Sequence, residues 1–113
     1  MDSRFAKNLE PPYYAVIFTS RRTPGDNGYA RTVERMSELA AQQPGYLGIE
    51  SARDADGFGI TVSYGESLEA IAAWRENAAH CVAKETGPST WYEHYELRVA
   101  KVERAYARKP HTG

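Results

Sequence analysis

Residues 13–20 read Tyr-Tyr-Ala-Val-Ile-Phe-Thr-Ser, a β-branched and aromatic run between Pro11-Pro12 and the turn-rich TPGDNG at 23–28. Such a run predicts a β-strand. Its apolar residues fall on both parities: Tyr13, Ala15 and Ile17 on one face, Tyr14, Val16 and Phe18 on the other. A strand that is apolar on both faces needs a cover on each side.

The rest of the chain supplies one cover. From Tyr29 to Gln42, apolar residues at Tyr29, Val33, Met36, Leu39 and Ala40 follow helical spacing. Asp26 or Asn27 is placed to cap that helix, and Pro44-Gly45 stops it. Two strands follow, YLGIESARD at 46–54 and FGITVSYG at 58–65, joined by a turn at Asp56-Gly57. In the second of them, Phe58, Ile60, Val62 and Tyr64 alternate with Gly59, Thr61, Ser63 and Gly65. Ser67, with Glu69 in the first turn, opens a second helix that runs to about Lys84, and Gly87-Pro88 ends it. Its apolar stripe is read as Leu68, Ile71, Ala72, Ala78, Ala79 and Val82. The last strand lies in WYEHYELRVAKVERAY at 91–106, where Leu97 and Val99 share a parity that Val102 leaves; a bulge near Ala100 accounts for the switch. The order β-α-β-β-α-β is that of an α+β, ferredoxin-like sandwich over residues 11–106, with a 1–10 arm and a 107–113 tail. Two helices cover one face of a four-stranded sheet. The second cover is expected to be another copy of the chain, in a homodimer.

Composition fits this picture. The chain has 113 residues, 42% hydrophobic and 26% charged, enough for one core. Fourteen basic against fifteen acidic residues leave a net charge of −1, so no nucleic-acid partner is expected. Cys81 stands alone, which excludes an internal disulfide, and no ligand cluster for a metal is visible. The opening MDSRFAKNLEPP has no apolar core of a secretory signal, and no stretch of 18 apolar residues occurs. No membrane association is expected, and the expected location is the cytoplasm.

PPYYAVIFTSRRTPGDNGY, AQQPGYLGIESAR, GITVSY with AIAAWRENAAH, and WYEHYELRVAKVERAY together resemble the antibiotic biosynthesis monooxygenase (ABM) family of dimeric α+β barrels. The resemblance spans about Pro11 to Tyr106. It implies a cofactor-independent monooxygenase acting on a small aromatic of phenol, quinol or anthrone type. The alternatives are, second, a non-catalytic small-molecule binder and, third, a haem-binding relative. Haem-degrading relatives carry an asparagine late in the first strand, then a tryptophan and a histidine on the second helix. Trp74 matches that tryptophan, but Thr19-Ser20 stands where the asparagine is expected, and His80 follows Trp74 about one turn too soon. Relatives commonly read Ser-Tyr-Trp where this chain has Ser63-Tyr64-Gly65.

Oxidation without a metal or flavin needs a base, a donor that stabilises the substrate anion, and a dry pocket. His80 is the candidate base, against a reading in which it faces solvent or a partner. Arg75, placed within the apolar stripe, is the candidate anion-stabilising cation, against a reading in which it snorkels or pairs with a carboxylate. Phe18, Tyr64, Gly65, Trp74, Trp91 and Tyr95 are the candidate substrate-binding residues, although aromatics at such spacing also serve as packing. No metal ligand and no cofactor is expected. Gly65 is expected to leave a cavity beside Tyr64 and Trp74 that a tryptophan would refill.

Overall fold

The computed structural model describes residues 4–6, 9–26, 28–85 and 91–108, with 79–85 described as main chain. In chain order the elements are β1 (Tyr13–Arg22), α1 (Tyr29–Ala41), β2 (Tyr46–Arg53), β3 (Phe58–Gly65), α2 (Leu68–Glu85) and β4 (Tyr92–Val102). The sheet runs β2-β3-β1-β4, with every neighbouring pair antiparallel. This is the α+β, ferredoxin-like arrangement. The run at 13–20 is central within it, hydrogen-bonded to β3 on one side and β4 on the other, and this double pairing carries it on to Arg22.

Directly opposed residues of antiparallel strands share a face. Tyr14, Val16, Phe18 and Ser20 therefore lie with Gly65, Ser63, Thr61 and Gly59 on the helix side, while Ala15, Ile17 and Thr19 lie with Tyr64, Val62 and Ile60 on the outer side. Both halves of the β1 pattern are used. Val16 is 8% exposed toward the helices, and Tyr13 and Ala15 are 7% and 5% exposed on the outer side. Yet Phe58 and Ile60, also on that outer side, remain 39% and 42% exposed.

The strand pattern was legible; the helix faces were legible only in part. In α1, Ala40 is buried and Tyr29, Met36 and Leu39 are half-buried, as the apolar spacing predicts, but Thr32 is buried and Val33 is exposed. The carboxylate of Asp26 accepts the Gly28 and Ala30 N–H groups at 2.9 and 3.0 Å, and Gly28 takes φ 85°, which suits glycine. In α2, the Ser67 hydroxyl accepts the Ala70 N–H at 3.0 Å, the capping contact expected of it. The inward stripe of α2 is Ala70, Ile71, Trp74 and Ala78, whereas Leu68 and Ala72 are exposed. No bulge occurs at Ala100. The β1–β4 register is continuous from Tyr13↔Val102 to Arg21↔His94, and Val102 meets Tyr13 on the outer side while Leu97 and Val99 take the helix side. The one shift in that pairing falls between Arg21 and Arg22. The Gly87-Pro88 stop and the Asn27 alternative lie outside the described residues.

No helix among the described residues is long and apolar enough to cross a membrane. No group of three or more metal-ligating side chains forms among them either.

Candidate functional site

Where β1 starts, β3 ends and α2 begins, the helix side closes over a small apolar pocket of about 20 Å³. Val16, Ser63 and Gly65 form its floor, Ile71 and Trp74 one wall, and the 43–46 turn the other. The turn is held from both sides. Gly45 (φ 80°) accepts the Glu66 N–H at 2.8 Å through its carbonyl, and the Asn77 amide donates to the Gln43 side chain at 3.1 Å. Burial raises the pKa of the Tyr46 phenol above its usual value. The volume suits one water, not an aromatic ring.

Gly65 and Trp74 thus meet in this pocket, as expected from the sequence. Gly65 nevertheless leaves no gap for a side chain, because a Cβ there would sit 2.9 Å from Cγ1 of Ile71. The expected tryptophan-shaped cavity is already filled by α2. Tyr64, the preceding residue, points to the outer side. There its hydroxyl donates to Glu50 Oε1 at 2.7 Å and its ring meets Tyr13 edge-on at 5.5 Å. Burial, first, and the Glu50 carboxylate, second, push its pKa up to about 12. The N-terminal arm reaches the same carboxylate, with the Ala6 N–H donating to Glu50 Oε2 at 2.9 Å. Arg75 is exposed on α2, outside the inward stripe, so it does not supply the cation expected of it in this pocket. Helical geometry explains this: the stripe is centred near Trp74, and the next residue is turned ~100° away. The side chains of His80 and Cys81 lie outside the described residues.

The remaining three candidates gather at the opposite end of β1. Phe18 contacts Tyr92 at 5.2 Å and Tyr95 at 5.4 Å between ring centroids. Trp91 is 2% exposed and stands edge-on to Tyr29 at 5.9 Å, a core position rather than an open wall. Tyr95 is 49% exposed.

Two arginines join this end, and the sequence reading had assigned neither of them a role. Arg53, at the end of β2, donates to the Ser20 hydroxyl at 2.9 Å and to the carbonyls of Ser20 and Gly57. Arg22, at the end of β1, donates to the carbonyls of Trp91 at 3.1 Å and Gly25 at 3.0 Å, and its guanidinium lies 3.5 Å from the Tyr29 ring centroid. Tyr92 shares a hydrogen bond with Tyr29. Burial is the main reason its pKa is raised, and the charges of Arg53 and Arg22 act in the opposite sense. The signal available in the sequence was faint: an arginine ending each of two strands.

No family model matches the chain. A Bacillus subtilis (strain 168) protein, the uncharacterized YqjZ, is 60% identical over 99 residues, covering 88% of this chain and 87% of that one. Among solved structures, SnoaB from Streptomyces nogalater, described as a cofactor-independent oxygenase, aligns with a TM-score of 0.65 at 10% identity, over 87% of this chain and 100% of that one. A proposed antibiotic biosynthesis monooxygenase from Chloroflexus aurantiacus J-10-fl aligns with a TM-score of 0.62 at 18% identity, over 84% and 97% of the two chains. Strand order, helix placement and these alignments agree: the chain belongs to the family of Bacillus subtilis YqjZ and has the antibiotic biosynthesis monooxygenase-like fold.

Proposed function

We propose that this chain is a cofactor-independent monooxygenase for a small aromatic of phenol, quinol or anthrone type, working as a homodimer. The observation that supports the reading most is the apolar pocket walled by Trp74 on the helix side of a SnoaB-like fold. In such chemistry the substrate, once deprotonated, is itself the reductant of oxygen. An anthrone methylene takes one oxygen atom to become a carbonyl, and its two hydrogens leave with the other atom as water. The protein has to bind the ring, exclude bulk water and favour the anion. Trp74, Val16 and Ile71 provide apolar surface for the first two tasks. At about 20 Å³ the pocket admits a ring only if α2 moves outward from β3.

One observation favours a second reading, that of a non-catalytic binder. Among the described lining residues the ionisable side chains are the phenols of Tyr46 and Tyr64; both have raised pKa values, and Tyr64 already donates to Glu50, so neither serves as a base at neutral pH. The base then has to come from His80, from solvent or from the substrate's own acidity. The homodimer rests on the outer side of the sheet, where Phe58 and Ile60 stay more than a third exposed in one copy.

Oxygen uptake with a panel of quinols and anthrones separates the two readings. Uptake that depends on protein and weakens in Trp74→Ala supports the oxygenase. Saturable binding of the same compounds without uptake supports the binder.

A further inference from the structure

Arg22 and Arg53 are both half-buried, and their hydrogen bonds among the described residues run to neutral acceptors: carbonyls of Trp91, Gly25, Ser20 and Gly57, and the Ser20 hydroxyl. Among the described residues, no carboxylate forms an ion pair with either. Two acids of the flanking loops are engaged elsewhere: Asp26 holds the Gly28 and Ala30 N–H groups, and Asp54 holds those of Asp56 and Phe58. Carbonyls satisfy the N–H groups without neutralising the charge. Two half-buried cations at one end of a sheet therefore favour an anion beside them.

The neighbouring surface limits what that anion is. Arg22 lies over the Tyr29 ring, Tyr29 meets Tyr92 edge-on at 5.9 Å, and Tyr92 meets Phe18 and Tyr95 in turn. This continuous aromatic surface ends in the half-exposed ring of Tyr95. The Arg22 contact to Gly25 is on the exposed side of the cluster, so that guanidinium is reachable from solvent. An inorganic ion would use the charge alone, whereas a planar aromatic anion would use both charge and rings.

We propose that Arg22 and Arg53, with the Phe18–Tyr92–Tyr95 rings, form a binding site for an aromatic carboxylate or phenolate. The site lies at the opposite end of β1 from the Trp74 pocket, about 13 Å along the strand from Val16 to Ser20. It does not depend on the oxygenase reading. A binder that never consumes oxygen would have it equally.

The test is calorimetric titration of the full chain with 1-hydroxy-2-naphthoate and, as the uncharged counterpart, 2-naphthalenemethanol. The expected result is about tenfold tighter binding of the naphthoate at 50 mM salt, a preference that shrinks several-fold at 500 mM. Arg22→Gln is expected to abolish the preference, Arg22→Lys to keep part of it, and Trp74→Ala to leave it intact. Equal affinity for the two probes, or no binding of either, overturns the proposal. So does a preference that survives Arg22→Gln, or one that Trp74→Ala removes. If Arg22→Gln fails to fold, the wild-type salt series decides: a preference insensitive to salt overturns the proposal. Oxygen uptake plays no part in this measurement, so it fails or succeeds separately from the oxygenase reading.

Discussion

A Cβ on Gly65 would stand 2.9 Å from Cγ1 of Ile71 and 3.4 Å from its Cδ1, with the Gly45 carbonyl 3.7 Å away. The glycine is thus where α2 comes down onto β3, and its missing side chain permits that approach. Gly65→Ala is expected to destabilise the fold by about 1–3 kcal/mol, the range for overpacking a closed site. Gly65→Trp should cost more, opposite in sign to a cavity-filling change. Urea denaturation measures both. The same Gly65→Ala change made in an Ile71→Ala background should cost less, because the clashing atoms are gone.

Arg75 is exposed on α2, outside the inward stripe. Arg75→Ala should therefore change stability by no more than about 0.5 kcal/mol, as at an ordinary surface site. Ser20→Ala should be costlier despite its smaller change in size. Its hydroxyl is the acceptor for Arg53 in a residue only 2% exposed, and removing it leaves a part-buried cation short of a partner, about 1–3 kcal/mol. Thermal melts of the two variants side by side give the ranking.

Tyr64 carries a folded-state pKa of about 12 against an ordinary value of 10.0. A raised phenol pKa means the folded state holds the proton more tightly than the unfolded chain does. That stabilisation is fully present below pH 10 and is lost as the pH rises from 10 toward 12. Melting temperature should accordingly fall over this interval. In Tyr64→Phe the fall should be shallower, even though the variant starts lower for want of the Glu50 hydrogen bond.

Light scattering should show a particle of twice the 12.6 kDa protomer mass if the outer face is shared between two copies. Ile60→Glu places a charge on that face at a position 42% exposed in the single chain. It should return the protein to protomer mass with little loss of secondary structure. A wild-type particle of protomer mass would remove the homodimer from the proposed function.

Added haem is expected to give no stoichiometric Soret band. Of the two residues standing where haem-degrading relatives carry an asparagine, Thr19 lies on the outer side of the sheet, and Ser20 is closed off beneath Arg53. A sharp Soret band that is lost in His80→Ala would overturn this expectation.

The sequence by itself determined the element order, the strand alternation and the cap at Ser67, and narrowed the first cap to Asp26 or Asn27. Each depends on neighbours within a few residues: side chains alternate with period two along a strand, and a capping oxygen reaches N–H groups in the next turn. It also carried the antibiotic biosynthesis monooxygenase-like fold, since segments along the whole domain agree in order and spacing. Tertiary structure decided which way each helix turned. At ~100° per residue, Thr32 and Val33, or Trp74 and Arg75, are adjacent candidates for one inward position, and the shape of the sheet beneath selects between them. Tertiary structure also decided where the candidate residues went. Tyr64 and Gly65 are consecutive, yet the pleat sends them to opposite faces. Arg22 and Arg53 are remote in the chain, yet β1 and β2 both pair with β3 and bring them to the same end of the sheet, where the Gly57 carbonyl accepts both the Arg22 main-chain N–H and the Arg53 guanidinium. No local pattern encodes that meeting, because it is made by strand pairing.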